Sequence, residues 1–201
     1  MKRIHAWTPI TVDPGHIDAL RDTGPGGLIA WHEADDQVVV SEPGRILGDE
    51  AMIILGHYTL AEMDRELARA GIPASDEALA RVATALLPDY LREWSRIRAL
   101  TPMVAGLRRM LADRRVYPAD RPVYRDRDGH PQIIETYQAP EARTVLIQVA
   151  TTFAHLLPVS VAFYSAESHA LLWDSSVGGA AHRNGILTRL VTWAIDTGLE
   201  E

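Results

Sequence analysis

Histidine and acidic residues are the side chains of this sequence best suited to metal binding and acid–base chemistry. The chain has eight histidines, but no two are four residues apart and no His-Glu-x-x-His pattern occurs. The spacing of a helical zinc site is therefore absent. The stretch His32-Glu33-Ala34-Asp35-Asp36 groups nitrogen and oxygen ligands, but a polar hairpin turn is the simpler explanation. With no cysteine there is no thiolate ligand or disulfide, and we predict no metal and no other cofactor.

Arginine offers a different chemistry, because its guanidinium group donates several hydrogen bonds to carboxylates and phosphates. Residues 92–127 carry ten arginines and four acidic residues, a net charge of +6 within a chain of net charge −7. We predict a contact surface for a macromolecular partner that is itself acidic, formed by Arg92, Arg96, Arg108, Arg109 and Arg115. A protein partner is favoured over nucleic acid, because the chain is acidic overall and the arginines form no continuous stripe.

The alternative for the same arginines is a solvated helical surface. At i+3 spacing Arg92 follows Asp89, and Arg96 follows Glu93, which allows ordinary pairing within a helix. Arg98 differs from both, because a helical wheel places it on the apolar arc with Trp94. We predict that Arg98 has a carboxylate or carbonyl partner, or that the helix has ended there.

Motifs for nucleophilic catalysis and phosphate binding are sparse. The sequence lacks both the Gly-x-Ser-x-Gly motif and the phosphate-binding Gly-x-x-x-x-Gly-Lys-Ser/Thr motif. The nearest grouping of nucleophile, base and acid lies around one predicted hairpin and consists of Ser165, His169, Asp174, Ser175 and Ser176.

The stretch Val177-Gly-Gly-Ala-Ala-His-Arg-Asn-Gly-Ile-Leu187, followed by an amphipathic helix, resembles the pyrophosphate loop of acetyl-CoA-dependent N-acetyltransferases. The resemblance implies that backbone N–H groups near Gly185, together with Arg183, hold a pyrophosphate. His182 stands where that family has Gln or Arg, and Leu187 where it has Gly or Ala.

Local signals predict the elements that position these residues. A strand is expected at 2–7, a helix from Asp13-Pro14 to Gly24, a hairpin from 26–32 and 37–42, and a strand at 51–55. A capping box at 59–62 predicts a helix that ends near Gly71. Ser75 begins a helix through residue 100, which Pro88 kinks or splits, and Thr101-Pro102 begins another helix through residue 115.

The second part of the chain reads as hairpins and helices. Residues 123–125 and 132–137 flank Asp128-Gly129, a typical hairpin turn, and residues 159–165 and 170–174 form another hairpin. Residues 141–157 fit either a strand or a helix, and we predict a helix, because Glu141 would lie in its first turn. A closing amphipathic helix is expected at 185–197.

The order of these elements predicts the α+β class, with mainly antiparallel sheet, hairpins, a central helical block and a C-terminal amphipathic helix. Residues 117–122 are polar and proline-rich, and they divide an N-terminal α+β portion (1–116) from a C-terminal hairpin–helix portion (117–201). We expect the two portions to pack as one compact unit.

The sequence favours a soluble cytoplasmic binding or regulatory protein. No signal-peptide pattern and no run of roughly 20 apolar residues is present, so no membrane partner is predicted. Two alternatives stay open. One is a small-molecule enzyme, with the acetyl-CoA-dependent acyltransferase as its specific form, and the other is a structural subunit that forms a homo-oligomer.

Overall fold

The computed structural model describes residues 10–45, 47–48, 50–139, 144–153 and 159–174. Within these residues it contains three helices and nine strands, and all seven strand pairings are antiparallel. The predicted α+β class with antiparallel sheet is therefore confirmed. The strand predicted at 2–7 and the C-terminal helix predicted at 185–197 lie outside the described residues.

The described helices and strands divide into two sheets with helices packed on them. The helices are α1 (Pro14–Thr23), α2 (His57–Arg69) and α3 (Asp76–Asp113). The small sheet has the strand order β2-β1-β3, formed by β1 (Leu28–His32), β2 (Gln37–Ser41) and β3 (Ala51–Gly56). The large sheet has the order β4-β6-β7-β8-β9, with β5 also paired to β6. Its strands are β4 (Tyr117–Pro118), β5 (Val123–Arg127), β6 (His130–Gln138), β7 (Val145–Thr152), β8 (Val159–Ser165) and β9 (Leu171–Asp174).

Helix α1 begins and ends as predicted. The Asp13 carboxylate accepts a hydrogen bond of 3.0 Å from the backbone N–H of His16, and His16 Nδ1 accepts one of 3.1 Å from the Asp13 N–H. This reciprocal cap satisfies two N–H groups that the helix itself leaves unpaired. Ile17 and Leu20 are fully buried against the small sheet, and the helix ends before Gly24, whose φ is 74°.

Helix α3 is one continuous helix of 38 residues, so a split at Pro88 and a separate helix from Thr101 are wrong. Ser75 caps its start as predicted, accepting a hydrogen bond from Ala78 N at 3.2 Å. A proline removes one helical hydrogen bond and crowds the carbonyl four residues earlier. Both Pro88 and Pro102 are exposed, so water can reach the freed carbonyl and the helix can curve around the core.

Strand β7 corrects the helix predicted over 141–157, of which only residues 144–153 are described. It lies between β6 and β8, with pairings such as Ile147 to Tyr137 and Val149 to Val161. The apolar side chains that fit a helical face also fit a central strand, in which Ile147 and Val149 are buried. Pairing with β6 and β8, the strands before and after it in the chain, decides between these possibilities.

The three predicted hairpins are confirmed. β1 and β2 pair from Leu28–Ser41 to His32–Gln37, and β8 and β9 pair beyond the turn after Ser165. Between β5 and β6, Asp128 and Gly129 have φ values of 54° and 80°, as a type I′ turn requires. Asp126 there accepts a hydrogen bond from Gly129 N at 3.0 Å, which closes the turn.

Helix α2 begins two residues before the predicted capping box, at His57, and its N-cap Gly56 has no side chain to offer. The cap comes instead from Asp120, in the segment 117–122. Asp120 Oδ1 accepts a hydrogen bond from Gly56 N at 3.0 Å, and Oδ2 accepts one from Thr59 N at 3.2 Å and one from the Thr59 hydroxyl. Thr59 therefore contacts a distant carboxylate rather than its own helix end.

Two hydrophobic cores share α3. The first half of the helix packs on α1 and the small sheet through Leu79, Ala83 and Leu87. Its last turns pack on the large sheet, where Leu111 lies against Ile147 and other buried side chains of β6, β7 and β8. One helix thus joins two cores, and a cavity lies where it passes from one core to the other.

Candidate functional site

A cavity of about 360 Å³ lies where α3 passes from the small sheet to the large one, and we call it the central cavity. Its walls come from β3, from α3 between Trp94 and Asp113, and from β4 and β6. Much of the lining is apolar: Leu47, Ile53, Trp94, Ile97, Ala112 and Val116. A largely apolar wall with a few polar groups is typical of sites that bind small molecules.

The polar centre of the central cavity is Glu135. This residue of β6 is only 7% exposed. Arg108 of α3 donates to Glu135 Oε1 from Nε at 2.9 Å and from Nη2 at 2.8 Å. Both contacts reach one carboxylate oxygen, so the ion pair holds the carboxylate in place and leaves its second oxygen available.

Two buried polar atoms of the central cavity lack a hydrogen-bond partner among the described residues: Glu135 Oε2 and the Tyr137 hydroxyl. Tyr137 is 2% exposed and lies two residues after Glu135, so both side chains leave the same face of β6. A buried polar atom without a partner costs roughly 1–3 kcal/mol, which is why native proteins keep few of them. Two in one cavity therefore indicate a place for a ligand.

The Tyr137 hydroxyl stays protonated over the physiological pH range. Burial raises its pKa well above the ordinary value, the neighbouring Glu135 carboxylate raises it further, and the positive charge of Arg108 opposes the rise. The hydroxyl can therefore both donate and accept a hydrogen bond, whereas the ionised carboxylate of Glu135 can only accept. Together they offer a bound molecule two acceptors and one donor.

The rim of the central cavity carries both signs of charge. Arg109 and Asp113 are exposed, and they stand four residues apart on α3. The Thr101 hydroxyl is buried but satisfied, because it donates to the carbonyl of Ile97 at 3.1 Å. Asp120 also lines the cavity, with its carboxylate already occupied by the start of α2.

The five arginines predicted as a contact surface separate into two groups. Arg108 and Arg109 line the central cavity. Arg92, Arg96 and Arg115 are exposed elsewhere on α3 and just after it. Whether the five act as one contact surface stays a prediction.

Of the two predicted intrahelical ion pairs, one is confirmed and one is wrong. Arg92 forms an ion pair with Asp89. Arg96 does not pair with Glu93, and its guanidinium instead lies 5.4 Å from the ring centre of Tyr124. Glu93 instead accepts hydrogen bonds from the side chain of Arg121 and from the backbone N–H of Tyr124 in β5.

The prediction for Arg98 is confirmed. The guanidinium forms an ion pair with Glu33, in the turn between β1 and β2, and lies 4.9 Å from the ring centre of Trp94. Glu33 of the acidic turn at 32–36 thus connects this turn to α3. Across the described residues, no group of three or more His, Asp or Glu side chains is arranged to hold a metal.

Of the serine–histidine grouping, the described members are not arranged for nucleophilic catalysis. The Ser165 hydroxyl accepts a hydrogen bond from Ser168 N at 3.1 Å, and His169 Nε2 lies 3.3 Å from a guanidinium nitrogen of Arg65. Ser175 and Ser176 lie outside the described residues, as does the acetyltransferase-like segment 177–187.

Sequence reasoning missed Glu135, Tyr137 and Asp120. One signal was present for the first two: Glu135 is a charged residue inside the run Gln132-Ile-Ile-Glu-Thr-Tyr137, which the pattern already assigned to a strand. A charge in a buried strand needs a partner. For Asp120 the signal was weaker, since an acidic residue between prolines is typical of an exposed loop.

Among the described residues, no helix combines the length and the apolar composition needed to cross a membrane. Comparison of the whole chain with known protein families, with curated proteins and with solved structures found no match.

Proposed function

We propose that this protein binds a small organic molecule in the central cavity. One observation carries the proposal: two buried polar atoms that line a cavity of about 360 Å³, Glu135 Oε2 and the Tyr137 hydroxyl, lack hydrogen-bond partners among the described residues. The volume falls within the roughly 300–1,000 Å³ of typical ligand sites. The Arg108 ion pair fixes the carboxylate from α3, so the polar groups are positioned before a ligand arrives.

A cavity-filling substitution tests this function. Ala112 lines the cavity from α3, whereas Ala99 is exposed on the same helix. We expect a thermal-shift screen of small organic compounds to find ligands that raise the melting temperature of the native protein, since a ligand bound only by the folded state stabilises it. Ala112→Phe should abolish these rises and Ala99→Phe should preserve them. A screen without any ligand, or rises that persist in Ala112→Phe, would contradict the proposal.

A second function, contact with an acidic macromolecular partner, is favoured by the exposure of the arginines. Arg92, Arg96, Arg109 and Arg115 are all exposed, and the side chain of Arg92 is 77% accessible. Such a surface suits electrostatic steering of a protein with an acidic face. It is compatible with ligand binding, because three of these four residues lie away from the central cavity.

The arginine surface has its own test. We expect a pull-down to recover a protein partner whose affinity falls steeply between low and high salt. The double variant Arg92→Ala with Arg96→Ala should weaken this binding without changing the melting temperature by more than a degree or two, because both side chains are exposed. Binding that is weakened neither by high salt nor by the double variant would rule out this surface as the contact site.

A further inference from the structure

We infer that the ligand of the central cavity is a small amine: a protonated nitrogen with several N–H donors, attached to an apolar body. The inference rests on the proposed function and specifies the chemistry of its ligand. It follows from the hydrogen-bonding capacity of Glu135 and Tyr137, from the charge of the lining and from the apolar walls.

The carboxylate of Glu135 selects for a hydrogen-bond donor. Its Oε1 already accepts two hydrogen bonds from Arg108, and its Oε2 is buried without a partner among the described residues. An ionised carboxylate has lone pairs and no proton to give, so only an N–H or O–H group satisfies it. An anionic head group would face the negative oxygen across a water-poor space, where repulsion is strong.

The Tyr137 hydroxyl offers a second acceptor to the same ligand. It lies on the same face of β6 as Glu135 and lacks a partner among the described residues. An ammonium group carries three donors and can offer one to each oxygen, whereas an alcohol that donates its single O–H to Glu135 can only accept from Tyr137. Charge-assisted hydrogen bonds are also roughly twice as strong as neutral ones.

The charge of the lining favours the same class of ligand. Arg108 and Arg109 stand against Asp113, Asp120 and Glu135, which leaves two cations and three anions around the cavity. A cleft with an excess of one sign attracts ligands of the opposite sign. The exposed Asp113 lies at the rim, where an approaching cation would meet it first.

The ligand has an apolar body because the rest of the cavity wall is apolar. Ile53 from β3 and Trp94 with Ile97 from α3 enclose the side of the cavity that the small sheet contributes. Burial of apolar surface there adds affinity in proportion to the area removed from water. An amine with an aromatic or branched aliphatic group of a few carbons fits both halves of the site.

Three probes with one body and three head groups test the inference: 4-phenylbutylamine, 4-phenylbutan-1-ol and 4-phenylbutyrate. Dissociation constants are measured by calorimetry or by NMR titration of the native protein. We expect the amine to bind at least about tenfold more tightly than the alcohol, since hydrogen bonds to charged groups contribute more than neutral ones, and the carboxylate to bind more weakly than either. A carboxylate that binds as tightly as the amine would overturn the inference.

Two variants assign the preference to the proposed atoms. Tyr137→Phe removes only the hydroxyl and should weaken amine binding severalfold, while Tyr164→Phe, in a separate hydrophobic cluster, is the matched control. Glu135→Gln should abolish the preference for amine over alcohol. If Glu135→Gln fails to fold because the ion pair with Arg108 is lost, Tyr137→Phe still decides the question. Amine affinity unchanged by Tyr137→Phe would contradict the inference.

The failure of this inference differs from the failure of the proposed function. Other compounds that bind, and that Ala112→Phe excludes, would leave the central cavity as a ligand site and show that its ligand is not an amine. No compound sensitive to Ala112→Phe would mean that the cavity binds nothing, and both proposals would fall.

Discussion

Two carboxylates border the central cavity, the half-buried Asp120 and the buried Glu135, and their surroundings differ. Asp120 accepts four hydrogen bonds, from the backbone N–H groups of Gly56, Thr59 and Arg121 and from the Thr59 hydroxyl. Glu135 uses one oxygen for Arg108 and leaves the other without a partner among the described residues. Burial raises the pKa of Asp120, and the hydrogen bonds that it accepts oppose this rise.

The difference separates a structural group from a binding group. A carboxylate whose lone pairs are all engaged by the fold stabilises the fold and has nothing left for a ligand. A carboxylate held on one side and open on the other is fixed in place yet still able to bind. Substitutions at the start of α2 should therefore change stability, and those at β6 should change ligand binding.

The largest effect is expected for Asp120→Ala. The variant leaves three backbone N–H groups and the Thr59 hydroxyl without their acceptor, and α2 loses its N-terminal cap. We expect the free energy of unfolding, measured by urea denaturation, to fall by about 3 kcal/mol.

The control for Asp120 is Asp126, whose carboxylate accepts one hydrogen bond in an exposed turn. Asp126→Ala should cost only about 0.5 kcal/mol. Similar losses at the two positions would show that the docking of Asp120 on α2 is not the stabilising feature that we describe.

The next effect concerns the close approach at Gly56. A Cβ atom there would lie 2.5 Å from the Ala119 carbonyl oxygen and 2.8 Å from Asp120 Oδ1, so Gly56→Ala must displace the carboxylate that caps α2. We expect a loss of about 2 kcal/mol in the free energy of unfolding. In contrast, Gly106→Ala within α3 meets no atom within 4 Å and should stabilise the protein by about 0.5–1 kcal/mol. A harmless Gly56→Ala would be incompatible with this contact.

The features that the sequence predicted correctly depend on neighbouring residues. Asp13 and Ser75 each cap the helix that follows by accepting a hydrogen bond from the N–H three residues later. Asp128-Gly129 forms the turn of its own hairpin. In each case the interacting atoms are separated by only a few residues, so residue type and spacing are sufficient.

The features that were missed join distant parts of the chain. Asp120 caps a helix that begins 63 residues earlier, and Glu135 is held by Arg108, which is 27 residues away. Thr59 begins a good capping box, yet a tertiary carboxylate takes its hydroxyl. Strand β7 is likewise decided by β6 and β8 rather than by its own composition. Tertiary contacts override local preferences in such cases.

A smaller change in stability is expected from removing either of two hydroxyl groups. The Thr59 hydroxyl donates to Asp120, whereas the Tyr137 hydroxyl has no partner among the described residues. We expect Thr59→Val to lower the free energy of unfolding by about 1 kcal/mol and Tyr137→Phe to leave it unchanged or raise it slightly. Both are measured by urea denaturation without added ligand. If Tyr137→Phe costs as much as Thr59→Val, the Tyr137 hydroxyl has a partner in solution and the contrast between the two regions disappears.

The smallest effect concerns His57, the first residue of α2, whose Nδ1 is also buried without a partner among the described residues. Burial lowers the pKa of His57, the positive charge of Arg21 on α1 lowers it further, and Asp64 on α2 opposes both. Below the ordinary histidine pKa of about 6.5, His57 therefore binds a proton in the unfolded chain more readily than in the folded state. The contribution of His57 to stability is present above this pH and is lost as the pH falls toward the lowered pKa. We expect the free energy of unfolding to decline as the pH falls below about 6.5 and that of His57→Gln to decline less steeply, while the same substitution at the exposed His130 serves as the control. An equal pH dependence of the free energy of unfolding for the native protein and His57→Gln would show that this histidine is hydrated and that burial does not lower its pKa.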